Sequence, residues 1–182
     1  MTNGADSSPL PRLIRSSYWL LDGQLLAGGY PCSFNLEETR RRLEDILNVG
    51  IRSFIDLTFA NEGLEAYEPA LKQLAEEKQI NIAYYRFSIR DHDVPEPTVM
   101  QDVLRTIREE LSAGRPVYFH CWGGIGRTGM VTGCWLVEDG YSCDDALSRI
   151  AELRKVTSDF YARSPETDEQ ETFIRNWSSP SP

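Results

Sequence analysis

Val117-Tyr118-Phe119-His120-Cys121-Trp122-Gly123-Gly124-Ile125-Gly126-Arg127-Thr128-Gly129 reads as a strand, a tight loop and the start of a helix. Residues 117–119 form an apolar, strand-favouring run, and Met130, Val131, Cys134 and Trp135 open a helical pattern after the glycines. Glycines at 123, 124 and 126 admit φ > 0 and let consecutive N–H groups converge on one centre. The helix behind them adds free N–H groups and the positive end of its dipole. Phosphate is the guest such a cradle suits, with Trp122, Gly123, Gly124, Ile125 and Gly126 as its phosphate-binding backbone. Arg127, six residues after Cys121, sits on the rim, where its planar fork matches two phosphate oxygens. The same field acts on Cys121: a free thiol titrates near ~8.5, and at helix N-termini beside cations this falls to roughly 3.5–7.5. A thiolate facing a bound phosphate implies phosphoryl transfer to sulfur.

A second motif overlaps the first. Gly124-x-Gly126-x-x-Gly129 also spells the dinucleotide-binding fingerprint. That motif belongs to the first βαβ unit and needs an acid at the end of a second strand about 20 residues on. Asp144 and Asp145 lie at the right distance but follow Ser142 as helix-start residues, and too little chain remains for the further strands. The nucleotide reading is set aside.

His120-Cys121-x5-Arg127-Thr128-Gly129 resembles the signature of the cysteine-dependent protein tyrosine and dual-specificity phosphatases, and the variant HCWGGIGRTG is most similar to the kinase-associated phosphatase subgroup. The resemblance implies a phosphocysteine intermediate, a protonated aspartate as general acid, and no cofactor or metal. In that family the acid lies on a movable loop about thirty residues before the cysteine, and 121 − 91 = 30 brings Asp91 to that place. Asp93, in the same loop beside Pro95 and Pro97, suits an Asx turn better. The family hydroxyl that stabilises the departing sulfur corresponds to Thr128. A late glutamine that orients water for the second step corresponds to Gln170, although Thr167-x-x-Gln170 is equally a capping box.

Composition bounds the rest. With 182 residues, 41% of them hydrophobic, the chain suits one globular domain, expected over 17–177, between a loose leader at 1–16 and a frayed tail at 178–182. A net charge of −9 argues against nucleic-acid or anionic-membrane binding. Four cysteines without CxxC spacing, no signal-peptide core in the first ten residues and no apolar run of ~18 residues together predict a soluble cytoplasmic protein. A monomer is expected.

Along the chain, residues 18–21 and 24–27 flank Asp22-Gly23 and predict a hairpin with a type I′ turn. Asn35 and Glu38 form a capping box before a stripe of Leu36, Leu43, Ile46 and Leu47, and Phe34 counts as core. Residues 51–57 (IRSFIDL) and 82–89 (IAYYRFSI) read as strands, and Asp56 is ambiguous between site and backbone roles. Pro69 opens a short helix, and Thr98 with Gln101 caps another that stops at Gly114; after the cradle come helices at 127–138, 143–155 and 168–176. The pattern predicts an α/β fold: a central, mostly parallel sheet flanked by helices, with an N-terminal β-hairpin and a C-terminal helical cluster.

Within the family, substrates include phosphotyrosine, phosphoserine or phosphothreonine in proteins, phosphoinositides and RNA 5′-triphosphates. A loop without lysine favours protein phosphoesters, and the compact length suggests a shallow dual-specificity pocket. The alternatives are a phosphoinositide phosphatase and a catalytically silent phospho-binding module. Cys32 is either a buried thiol or the partner of an oxidised Cys121.

Overall fold

The computed structural model describes residues 16–178. The expected leader and tail, apart from Ser16 and Ser178, lie outside the described residues. The elements are β1 (Tyr18–Leu21), β2 (Leu25–Gly28), α1 (Leu36–Asn48), β3 (Ser53–Asp56), α2 (Glu68–Glu77), β4 (Ala83–Arg86), α3 (Pro97–Ser112), β5 (Val117–His120), α4 (Gly126–Glu138), α5 (Cys143–Arg154) and α6 (Asp168–Arg175). The sheet runs β1-β2-β5-β3-β4. Only β1 is antiparallel to its neighbour; β2, β5, β3 and β4 are parallel. This is the predicted α/β architecture.

Alternation along the strands divides the core. Phe54 and Tyr118 face α1 and α2, where they meet Leu43, Ile46 and Leu71. Ile55, Val117 and Phe119 face the other layer, with Val103, Ile107, Met130, Val131, Ile150 and Ile174 from α3 to α6. β5 is buried throughout, and its last residue, His120, lies level with Gly28 of β2 and Asp56 of β3. Cys121 therefore leaves the sheet at the carboxyl edge of three aligned parallel strands, where open α/β sheets hold ligands.

Several local expectations need correction. The hairpin turn is not type I′, which requires two central residues at positive φ: only Gly23 has one (φ 68°), and three residues separate the facing pair Leu21 and Leu25. Asn35 caps α1 by accepting from Glu37 N and Glu38 N, but the Glu38 carboxylate turns to Arg41 and Arg42, so the box is half closed. Phe34 is 108% exposed and Leu36 75%. Reciprocal bonds between Ser33 and Thr39 pin the chain just before the helix and leave both side chains outside the apolar stripe, which starts at Leu43. Helix α3 opens at Pro97 with Glu96 as its uncapped N-cap, because the ring of Pro97 already fixes the first helical φ; Thr98 falls inside the first turn. Both predicted long strands are shorter than expected, although Phe87 N to Asp56 O and Ile89 N to Leu57 O continue the pairing past β4. Asp56 takes the structural role: fully buried, it accepts from Thr58, Tyr84 and Arg86.

A second buried acid ties the sheet to α3. Glu110 accepts from Ser53, Tyr85 and a two-pronged Arg115. The Arg115 bonds, then those of Ser53 and Tyr85, outweigh burial and bring its carboxyl down to about 2. A carboxyl depressed in the folded state stabilises above its unfolded value and loses that contribution as pH falls through the folded one. Urea unfolding of wild type is expected to show stability falling between pH of about 4.5 and about 2. Glu110→Gln flattens that limb and costs about 1–3 kcal/mol at neutral pH; an unchanged acid limb refutes the assignment.

Candidate active site

The loop between β5 and α4 is shaped by what its carbonyls do. Cys121 O faces His120 Nδ1 (3.2 Å), Trp122 O accepts from Tyr30 N (2.8 Å), Gly124 O from Arg154 Nη1 (2.8 Å) and Ile125 O from Ser164 Oγ (2.7 Å). Each planar peptide whose C=O is drawn outward turns the following N–H inward. No side chain caps α4, so its dipole and first N–H groups also open on this space. The result is an anion cradle.

Of the three loop glycines, only Gly124 needs a positive φ (74°), and a Cβ there would lie 2.6 Å from Gly28 C. Gly126 leaves room for two side chains instead: a Cβ would stand 2.6 Å from Glu166 Oε2 and 2.9 Å from Gln170 Oε1, which would have to shift. Cys121 is 3% exposed, and its Sγ accepts from Gly124 N at 3.2 Å. Thr128 Oγ1 accepts from Cys121 N (2.9 Å) and donates to Gly28 O (3.1 Å), so it holds the cysteine through the backbone.

His120 supports the same residue from behind. A carbonyl can only accept, so Nδ1 carries the proton toward Cys121 O, and Nε2 accepts from Tyr67 OH at 2.7 Å. Burial lowers the His120 pKa against the pull of Asp56, which keeps the ring in this neutral tautomer.

Arg127 lies in the first turn of α4 and is 1% exposed. Glu62 grips it with both oxygens, one to Nη1 and one to Nη2 (3.0 Å). Asp91 Oδ1 reaches Nη2 at 2.9 Å, and Ile89 O accepts from Nη1 at 2.9 Å. Burial works against the charge, but Glu62, Cys121 and Asp91 outweigh it and raise the pKa. The buried Nε has no protein partner, a donor left for an anion.

The acid loop is therefore brought to the cradle, and its two aspartates separate. Asp91 stands on Arg127 with its other oxygen 3.5 Å from His92 Nε2. Asp93 accepts from Val94 N in a local turn. Gln170 closes the capping box with Thr167, accepts from Glu166 N, and sends Nε2 to Asp93 O (3.2 Å), which ties α6 to the acid loop. Cys32 is a half-buried free thiol, and burial pushes its pKa up to about 11.

Glu62, Tyr67 and Arg154 belong to this arrangement and are invisible in the sequence. Glu62 shares a loop with Glu65 just before Glu68, and no spacing singles it out. In Glu62→Ala, buried Arg127 keeps only Asp91 and the Ile89 carbonyl, and stability is expected to fall by about 2 kcal/mol. Tungstate should restore much of it by supplying the missing anion. Urea unfolding with and without tungstate measures both; a loss that tungstate leaves untouched rejects the pairing.

Comparison with known proteins gives the family. The family model described as "Polymorphic toxin system, DSP-PTPase phosphatase" matches residues 31–141, which is 141 − 31 + 1 = 111 of the 182 residues. The chain belongs to the DSP-PTPase family. The matched span holds Glu62, Asp91, Cys121, Arg127 and Thr128, and excludes Gln170. Protein tyrosine phosphatase domain-containing protein 1 of Mus musculus is 32% identical over 127 residues, covering 66% of this DSP-PTPase and 17% of the mouse protein. The chain thus spans about a sixth of that relative's length. Among solved structures, Tk-PTP in its active form has a TM-score of 0.67 at 23% identity, covering 89% of this chain and 95% of that one. Kinase associated phosphatase with its catalytic-site cysteine substituted by serine has a TM-score of 0.63 at 19% identity, covering 82% and 83%. Both show the same fold.

Proposed function

We propose that this DSP-PTPase hydrolyses phosphomonoesters, namely phosphotyrosine and/or phosphoserine and phosphothreonine in proteins, through a phosphocysteine. The observation that carries the reading is the convergence of Cys121, Arg127 and Asp91 on one cradle whose carbonyls are tied outward. The phosphate dianion enters between the inward N–H groups and Arg127, taking Nε and the Nη2 hydrogen now held by Asp91. Asp91, displaced from Arg127 by the phosphate, takes up a proton from solvent; Cys121 Sγ then attacks phosphorus, the S–P bond forms, the P–O bond to the leaving group breaks, and Asp91 gives that proton to the leaving oxygen.

Water then attacks the phosphocysteine, Asp91 takes its proton, and the S–P bond breaks to release inorganic phosphate and the thiolate. A turn of the Thr128 hydroxyl from Gly28 O toward Sγ supplies a donor to the departing sulfur. Gln170 has a second Nε2 hydrogen to orient the water. Arg127 and the loop dipoles supply the positive field, so no cofactor or metal enters the scheme. The absence of lysine from residues 122–126 and the net charge of −9 favour protein over phosphoinositide or nucleic-acid substrates.

Four free thiols support a cytoplasmic setting, and no helix among the described residues is long and apolar enough to cross a membrane. A monomer is the state proposed. Turnover of p-nitrophenyl phosphate by wild type, in the presence of EDTA, tests the reading. Protein that is inactive yet binds tungstate is a phospho-binding module instead.

A further inference from the structure

Among the described residues, six of the seven large apolar side chains that stand exposed are Phe34, Leu36, Trp122, Val156, Phe160 and Tyr161. They lie on three segments that border the cradle; the seventh, Tyr141, follows the far end of α4. Hydrogen bonds fix the placement. Trp122 belongs to the cradle and is 60% exposed. Its carbonyl accepts from Tyr30 N (2.8 Å), which brings the segment leading to Phe34 and Leu36 alongside. Arg154 donates to Gly124 O at 2.8 Å and to Asp159 O and Oδ1 at 3.1 and 3.0 Å, so the loop after α5 stands one guanidinium away from the cradle. Next to Asp159, the rings of Phe160 and Tyr161 meet edge to face at 5.9 Å, with 59% and 81% of each residue exposed. Single exposed apolar groups scatter over any surface, whereas a concentration in one place marks a contact surface.

Charge identifies the contact. Asp93, Glu96 and Glu166, on loops, and Glu169, in the first turn of α6, are exposed along the same mouth. Of the cations nearby, Arg163 is held by Asp168 and Glu171, Lys155 by Glu152, and Arg90 lies over the Phe59 ring. An anionic bilayer is repelled by such a rim. A polypeptide with apolar and basic residues complements it, and at ~3.3–3.6 Å per extended residue the neighbours of a seated phosphoresidue reach across it.

Resting on the phosphatase reading above, we propose that this aromatic, acid-edged rim binds the residues flanking the phosphorylated side chain of a polypeptide, and selects apolar and basic neighbours. Binding is measured by fluorescence anisotropy in the Cys121→Ser background. The probes are a phosphotyrosine peptide flanked by Leu and Arg, the same peptide flanked by Ala, and phosphatidylcholine vesicles carrying a phosphatidylinositol phosphate. The Leu/Arg peptide is expected to bind about tenfold tighter than the Ala peptide. The double variant Phe160→Ala, Tyr161→Ala removes that difference and leaves affinity for the Ala peptide within about twofold. Phe34→Ser gives a smaller loss in the same direction. Equal affinity for the two peptides, a preference untouched by these variants, or tighter binding to vesicles than to either peptide overturns the proposal. Failure of the phosphatase reading shows separately, as wild type that discriminates between the peptides yet does not turn over p-nitrophenyl phosphate.

Discussion

In the Cys121→Ser variant, p-nitrophenyl phosphate turnover is expected to fall by about four orders of magnitude or more. A serine hydroxyl is a far weaker nucleophile than a cysteine sulfur, so the cradle keeps its guest and loses its nucleophile. The fold should not change, because an oxygen can accept from Gly124 N as Sγ does, and Thr128 still holds the amide of residue 121. Tungstate should bind about as tightly as to wild type, since the outward-tied loop and Arg127 are unchanged. Acid-quenched wild type should carry phosphate on the Cys121 peptide, and the variant none. Turnover above about one per cent of wild type in Cys121→Ser, with no labelled Cys121 peptide, places the nucleophile elsewhere and ends the phosphocysteine scheme.

The cradle was legible in the sequence because its requirements are local. A strand, glycines and an uncapped helix start follow one another within residues 117–129, and no distant residue is needed to recognise them. The parallel sheet was legible for a related reason: alternating strands and helices with short links leave few topologies. Expectations failed where distant side chains decide. Phe34 precedes a capped helix as a core aromatic would, yet the Ser33–Thr39 bonds turn it outward. Arg127 was expected on a rim, and it lies buried because Glu62 arrives from the loop after β3, 65 residues earlier in the chain. Gln170 was open between a cap and a site role; the capping box is closed, and a hydrogen bond to Asp93 O that no spacing could reveal joins α6 to the acid loop. Local chemistry can be read along the chain, whereas the residues that hold Arg127 in place are set by tertiary contact.

Asp91→Asn is the other variant with a large expected effect, a fall in kcat of about 10²–10⁴-fold, against a change within about threefold for Asp93→Asn. The two aspartates are two residues apart, but only Asp91 reaches Arg127 Nη2, while Asp93 is occupied by Val94 N. Two further readouts separate loss of an acid from general damage. An amide cannot protonate a leaving oxygen, so the loss should grow from p-nitrophenyl phosphate to phenyl phosphate, whose leaving group needs the proton more. KM should fall rather than rise, because the entering phosphate dianion no longer competes with a carboxylate for Arg127. If instead Asp93→Asn shows the larger loss and the Asp91→Asn loss does not grow with the poorer leaving group, the acid is Asp93 and the Asp91–Arg127 pair is only a structural tie of the loop. If both variants turn over like wild type, the leaving group departs without a protein acid, and the loop at 90–97 serves to close the cradle.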